Sequence, residues 1–213
     1  MKLEDSEHYM PTKRLETLVD GIFAIAMTLL VLTLAVPHIN EPLSNIVVQN
    51  SFYGLLPNLF AFILSFILLA LFWNGHHRIF NQIKIIDNTL MWINVVWLMF
   101  IVLVPFSASA LGQYGNYIIP SVIFNLNMMG IAIFLYLNRY YAIRKNFLQD
   151  VNTPQNKHGN RNNVGFIFIA LLALVLSFTI TSWSTTVYAL LIPLHLAIIR
   201  VNKKRNPKLI TTK

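Results

Sequence analysis

Long apolar runs, broken by short polar intervals, set the plan of this chain. Six such runs cover residues 15–36, 55–73, 90–111, 117–137, 164–181 and 185–200. A helix that crosses a bilayer needs roughly 20 mostly apolar residues, and each run is read as one crossing. The sixth is the shortest, and Pro193 and His195 interrupt it. Residues 149–163 are polar and rich in Asn, with no apolar period, and predict a loop. Shorter connections are expected at 37–54, 112–116 and 182–184. Residues 1–201 then form one membrane domain, and residues 202–213 form a basic tail. The expected fold class is an all-α integral membrane protein with six transmembrane helices.

Composition narrows the function. Hydrophobic residues make up 56% of the 213 and charged residues only 11%, where an ordinary soluble domain carries about 25% charged. A soluble enzyme, a disordered chain and a fibrous protein are excluded. The lack of cysteine excludes a disulfide scaffold, thiol catalysis and Cys-based zinc sites. A net charge of +8 would suggest nucleic acid in a soluble protein. Here all 16 Lys and Arg fall in the N-terminal segment, the second-to-third connection, the fourth-to-fifth connection and the tail. None falls in the three opposite loops. Lys and Arg collect on the cytoplasmic side, so both termini are expected there. The tail is read as an anchor near anionic headgroups, not as a nucleic-acid site. Glu4, Asp5 and Glu7 precede the first run and Asp20 lies within it, which argues against a signal peptide.

The first run holds the unusual chemistry. Polar groups inside a membrane helix are costly and turn toward protein or water. Arg14 and Glu16 fit an interface, but Asp20 lies deeper and needs a partner. Arg14, His76, His77 and Arg78 are the cationic candidates. A structural ion pair and a proton relay are both compatible with that pattern. Ile25, Thr28, Leu29 and Leu32 fall at i, i+3, i+4 and i+7 and so share one helix face. Periodicity alone makes that stripe a packing seam. Adjacent His76 and His77 point about 100° apart on a helix, which is poor geometry for a metal, and neither metal nor cofactor is expected. No TVGYG, GxxxxGK[ST], HExxH or GxSxG segment occurs. A carbonyl filter, an NTP-driven pump and an enzyme therefore have no support.

The segment Arg14-Leu-Glu-Thr-Leu18-Val19-Asp20, followed by Gly-Ile-Phe-Ala-Ile25-Ala-Met-Thr28-Leu29-Leu-Val-Leu32, resembles the first-helix signature of the transmembrane protein 175 family. These are the potassium channels of lysosomes and their prokaryotic relatives. The signature is Arg, three residues, then Phe-Ser-Asp. Arg14 and Asp20 keep the spacing, and Leu18-Val19 replace Phe-Ser, so the role of that serine does not carry over. Trp73-Asn-Gly-His76-His77-Arg78 resembles the family's Trp-x-x-His stretch, and Asn94 with Leu103-Val-Pro105-Phe106-Ser107 resembles its third helix.

The resemblance implies a potassium-permeable cation channel in a prokaryotic cell membrane, one six-helix unit per subunit, assembled as a homotetramer. It implies a central pore lined by the first helix, with Ile25, Leu29 and Leu32 as its apolar constriction. Thr28 would be a polar layer favouring potassium. Arg14, Asp20, His76 and Asn94 would join that helix to its neighbours. Potassium ions and the lipid bilayer are the implied partners. Two rivals remain at this point. One is a secondary transporter or proton-coupled exchanger that titrates Asp20 and His76. The other is a membrane scaffold that transports nothing.

Overall fold

The computed structural model describes residues 9–39, 42–83, 85–148 and 154–190. The chain is mostly helical. A three-residue strand β1 (Tyr9–Pro11) leads into α1 (Thr12–Leu29), whose winding tightens into a 3-10 turn at Leu30–Thr33. The short helix α2 (Asn45–Tyr53) precedes α3 (Leu56–Phe80). Strand β2 (Ile85–Asp87) joins α3 to α4 (Asn88–Val102) and α5 (Val104–Tyr114). The helices α6 (Ile118–Arg144) and α7 (Pro154–Leu176) follow, and a 3-10 segment covers Thr181–Leu190.

Four helical stretches among the described residues are long and apolar enough to cross a membrane: Thr12–Thr33, Asn45–Phe80, Asn88–Tyr114 and Ile118–Arg144. The apolar part of α7, Asn163–Leu176, is shorter. The sixth run read from the sequence, 185–200, begins inside the 3-10 segment and from residue 191 lies outside the described residues, as does the basic tail.

Local chemistry explains where the helices depart from the apolar runs. Helix α3 continues seven residues past Trp73, because Asn74 to Phe80 keep the winding and bury Gly75, His76, Ile79 and Phe80. Helix α6 likewise runs on to Arg144, burying Asn138, Arg139 and Ala142. It stops where Asn146 takes φ 56, and the Phe147 N–H reaches back to the Ala142 carbonyl at 2.9 Å. That is the left-handed cap that Asn tolerates better than most residues. The third run is split at Leu103 because Pro105, at the start of α5, has no N–H to donate backward. Two stretches expected to be loops contain helix: α2 lies within 37–54, where the Ser44 hydroxyl caps Val47 N at 3.2 Å, and α7 begins at Pro154, inside the polar stretch 149–163.

The ends of the helices are stitched together. Strands β1 and β2 pair antiparallel, with Tyr9 opposite Asp87 and Pro11 opposite Ile85. One carboxylate oxygen of Asp87 accepts from Leu90 N at 2.8 Å and caps α4. The other accepts from the Tyr141 hydroxyl of α6 at 2.6 Å. The core is built on Phe23, Leu30, Phe80, Trp97, Ile101, Phe124 and Met128, all essentially inaccessible.

Helices α4 and α6 meet at Gly130. A Cβ there would lie 2.5 Å from Phe100 Cε1 and 2.6 Å from its Cδ1. Alanine in a helix gains about 0.5–1 kcal/mol over glycine, whereas overpacking costs about 1–3 kcal/mol. Gly130→Ala is therefore expected to lower the melting temperature in detergent. Adding Phe100→Ala should remove the clash and restore the gain from alanine. A Gly130→Ala protein that melts higher than the parent would refute the close approach.

Candidate functional site

Helix α1 has two unlike faces. Leu15, Val19, Phe23 and Ala26 are buried against the rest of the protomer, and Leu30 and Thr33 continue that face into the 3-10 turn. Phe23 lies with its ring 5.5 Å from that of Trp97 in α4. The opposite face is apolar and uncovered by the protomer: Leu18, Ile25, Leu29 and Leu32 are exposed, Ile25 by 61% and Leu32 by 71%. Gly21, Ala24 and Thr28 are exposed beside them. In lipid an apolar face meets acyl chains at no cost, but small residues such as Gly21 and Ala24 let another helix come close.

The stripe read from the sequence is thus placed on the uncovered face. Thr28 adds a polar feature to it. Its hydroxyl donates to the Ile25 carbonyl at 2.8 Å, which uses its hydrogen within the helix. What the hydroxyl offers to the open side is oxygen lone pairs, a surface suited to a cation.

The buried side carries a polar chain through the core. Asn94 in α4 donates its amide to Leu90 O at 2.8 Å and to Asn138 Oδ1 of α6 at 2.7 Å. Asn138 in turn donates to Phe134 O at 3.0 Å. With both amide hydrogens of Asn94 in use, its oxygen must accept, so the His76 Nε2–H of α3 donates to Asn94 Oδ1 at 2.9 Å. The His76 ring is sandwiched between Phe80 at 4.0 Å and Trp97 at 4.6 Å, nearly parallel to both. Trp97 donates its own indole N–H to Ile131 O at 3.1 Å. The chain therefore binds α3, α4 and α6 behind α1.

Of the four polar residues expected to work together, the structure joins His76 and Asn94 directly. Arg14 lies exposed in the first turn of α1. The hydrogen-bond partner of Asp20 differs from the cations expected for it: the Trp73 indole N–H of α3 donates to Asp20 Oδ1 at 2.8 Å. The indole gives one directed donor, so the exposed Asp20 carboxylate, midway along α1, is tied to α3 without a partner cation. Trp73 also stacks on His77, 5.7 Å away. Asn138 is the member that the sequence reading missed. It lies one residue beyond the expected end of its helix and directly before Arg139, where an Asn reads as part of the polar helix end.

Among the described residues no group of three or more His, Cys, Asp or Glu is placed to hold a metal. The groups present at the site are the Thr28 hydroxyl, apolar side chains and the Asp20 carboxylate tethered by Trp73.

Residues 14–105 match the family described as the endosomal/lysosomal potassium channel TMEM175. The resemblance carried by Arg14 to Leu32, Trp73 to Arg78 and Asn94 to Pro105 is borne out over that segment, and Phe106 and Ser107 lie just beyond it. Among curated proteins, a potassium channel of Chamaesiphon minutus is 37% identical over 103 residues, covering 48% of this chain and 50% of its own. A potassium channel of Streptomyces collinus is 33% identical over 101 residues, covering 47% and 48%. The matches to these two relatives span about half of their length. Among solved structures, a lysosomal potassium-selective channel TMEM175 homolog from Chamaesiphon minutus superposes with a TM-score of 0.73 at 27% identity, covering 84% of this chain and 93% of that one.

Proposed function

We propose that this chain, which carries the TMEM175 pattern over residues 14–105, forms a passive potassium-permeable channel. Six helices per subunit would cross a prokaryotic cell membrane, with both termini and the basic tail of residues 202–213 in the cytoplasm. The separation of Lys and Arg supports that orientation. The first helices of a homotetramer would line the pore. The observation that carries this reading is the uncovered stripe of α1, with Ile25 61% and Leu32 71% exposed on a helix whose other face is packed.

Physical chemistry then assigns the parts. Rings of Ile25, Leu29 and Leu32 exclude water and block ions unless they widen, which is gating by dewetting. Intact helices have no free carbonyls for an ion. Selectivity falls to Thr28, whose lone pairs replace part of a hydration shell. Such a ring is weaker than a carbonyl filter, and the preference for potassium should be moderate. Asp20 ties α1 to Trp73 of α3, and His76 with Asn94 fixes the α3, α4 and α6 frame on which α1 packs.

The exchanger reading needs Asp20 and His76 as a titrating pair. Instead the Asp20 carboxylate accepts from Trp73, and His76 is stacked between two rings with Nε2 committed to Asn94. The deciding measurement is the reversal potential of the purified protein in a planar bilayer, with potassium on one side and sodium on the other. Reversal toward the potassium equilibrium potential is expected. No current from folded, inserted protein would sink the proposal, and flux driven by a proton gradient would favour the exchanger.

Thr28→Ala should move that reversal potential toward zero while the assembly keeps its size on a sizing column. If the selectivity of Thr28→Ala equals that of the parent, Thr28 is not the polar layer.

A further inference from the structure

The C-terminal end of α1 is held by contacts unrelated to the polar chain behind its middle. The last carbonyls of any helix lack partners within it, and here one is taken by another helix: Asn58 Nδ2 of α3 donates to Thr33 O at 3.3 Å. Asn58 is only 9% exposed. Gly112 of α5 presses on the same residue. A Cβ at Gly112 would lie 2.8 Å from Asn58 Cα, 3.1 Å from its Cγ and 3.2 Å from its Nδ2. Because the nearest atom is backbone, no side-chain rotation relieves that contact.

The seat beneath the 3-10 turn is tight. Leu30 is fully buried, Thr33 is 7% exposed, and the Thr33 hydroxyl donates to Leu30 O at 2.8 Å. On the other side, Val31 and Leu32 project away from the protomer. A 3-10 turn of this length has poor internal hydrogen bonds, so its place is set by what it rests on.

We propose that Asn58 and Gly112 form a clamp that positions Leu32 in the permeation path and so sets the width of the constriction at that end. The inference rests on the reading of α1 as the pore-lining helix. Neither residue touches the ion. Asn58 acts through the Thr33 carbonyl, and Gly112 acts by allowing α5 to keep Asn58 in place. The two are positioning residues, and the small size of Gly112 is required by the α3–α5 approach and not by any backbone angle of its own.

The absence of cysteine makes the test clean. Leu32→Cys provides a single thiol, and its modification rate by a charged thiosulfonate reagent added outside liposomes is measured. Asn58→Leu removes the donor at similar volume, and Gly112→Ala disturbs it from the opposite side. Each is expected to change the rate at Leu32→Cys about tenfold by altering how often the turn leaves its seat. The same substitutions should leave the rate at Ile25→Cys unchanged, since Ile25 lies nearly two turns away. The permeability ratio should shift alongside. An unchanged rate at Leu32→Cys in both backgrounds would overturn the clamp, as would equal changes at Ile25→Cys. Loss of the assembled protein in both variants would overturn it as well, because the contact would then carry stability and not position. The thiol readout needs no current, so a protein that never conducts refutes the channel, and a conducting protein with unmoved Leu32 rates refutes the clamp alone.

Discussion

Liposomes carrying the Ile25→Asn variant are expected to pass potassium about tenfold faster than those carrying the parent, a barrier reduction of roughly 1.4 kcal/mol. Ile25 sits 61% exposed on the uncovered face of α1. In a symmetric assembly it would form a ring, and the barrier at such a ring is the cost of stripping water from the ion. Every copy of the asparagine adds an oxygen that replaces some of that water, so a small gain per subunit suffices. Selectivity should fall at the same time, because a wetter pore lets a hydrated sodium ion pass. The flux is measured by potassium-sensitive dye in liposomes with matched protein density. Unchanged flux in both Ile25→Asn and Leu32→Asn would mean that this face meets lipid and that the pore, if any, lies elsewhere.

Asn94→Leu is expected to be the most damaging single change away from that face. Asn94 is fully buried and is the only link between His76 and Asn138 in the hydrogen-bonded chain described above. Leucine fills the space but leaves the His76 N–H and the Asn138 carbonyl oxygen without partners. Each orphaned buried group costs about 1–3 kcal/mol. Interhelical hydrogen bonds in membranes average nearer 0.6 kcal/mol, so a loss of about 2–4 kcal/mol is the balanced expectation. Thermal unfolding followed by size-exclusion fluorescence should show a large drop in midpoint. Pairing it with Asn138→Leu should recover part of the loss, since removing both members of a bond costs less than stranding one. A midpoint that does not move would show that the chain contributes nothing to holding α3, α4 and α6 together.

The apolar runs already marked the four helical stretches long and apolar enough to cross a membrane, because length and hydropathy are summed properties that tolerate errors at the ends. The ends themselves depend on single residues. Asn74 to Arg78 read as a polar exit from the membrane, yet they continue α3 because Gly75 and His76 find buried partners across the bundle. Pro105 splits a run that hydropathy sees as continuous. The site was partly legible in the same sense. The stripe from Ile25 to Leu32 follows from helical period alone, but whether a stripe is a seam or an open face depends on what packs beside it, which lies far away in sequence. Asp20 shows the limit most clearly. Its need for a partner was evident from its position, whereas its partner is an indole 53 positions away, and charge logic favoured a cation. Asn58 and Gly112 gave no signal at all, since neither a buried amide nor a glycine announces the carbonyl or the backbone it will meet.

The tightened turn at Leu30–Thr33 changes the angular phase of everything after Leu29. An α-helix advances about 100° per residue and a 3-10 helix about 120°. Three steps from Leu29 therefore complete about one full revolution, so that Leu32 eclipses Leu29, where α-winding would leave it about 60° out of line. Four steps carry Thr33 about 120° away instead of about 40°, and it is Leu32 that stands exposed by 71% while Thr33 is 7% exposed. The winding decides which of two neighbouring side chains lies on the uncovered face. If this turn relaxed to α-helical pitch, a threonine hydroxyl would swing toward the line now occupied by leucine. In the proposed pore, the polarity of the wall would then change without any change in sequence and with little movement of the helix as a whole.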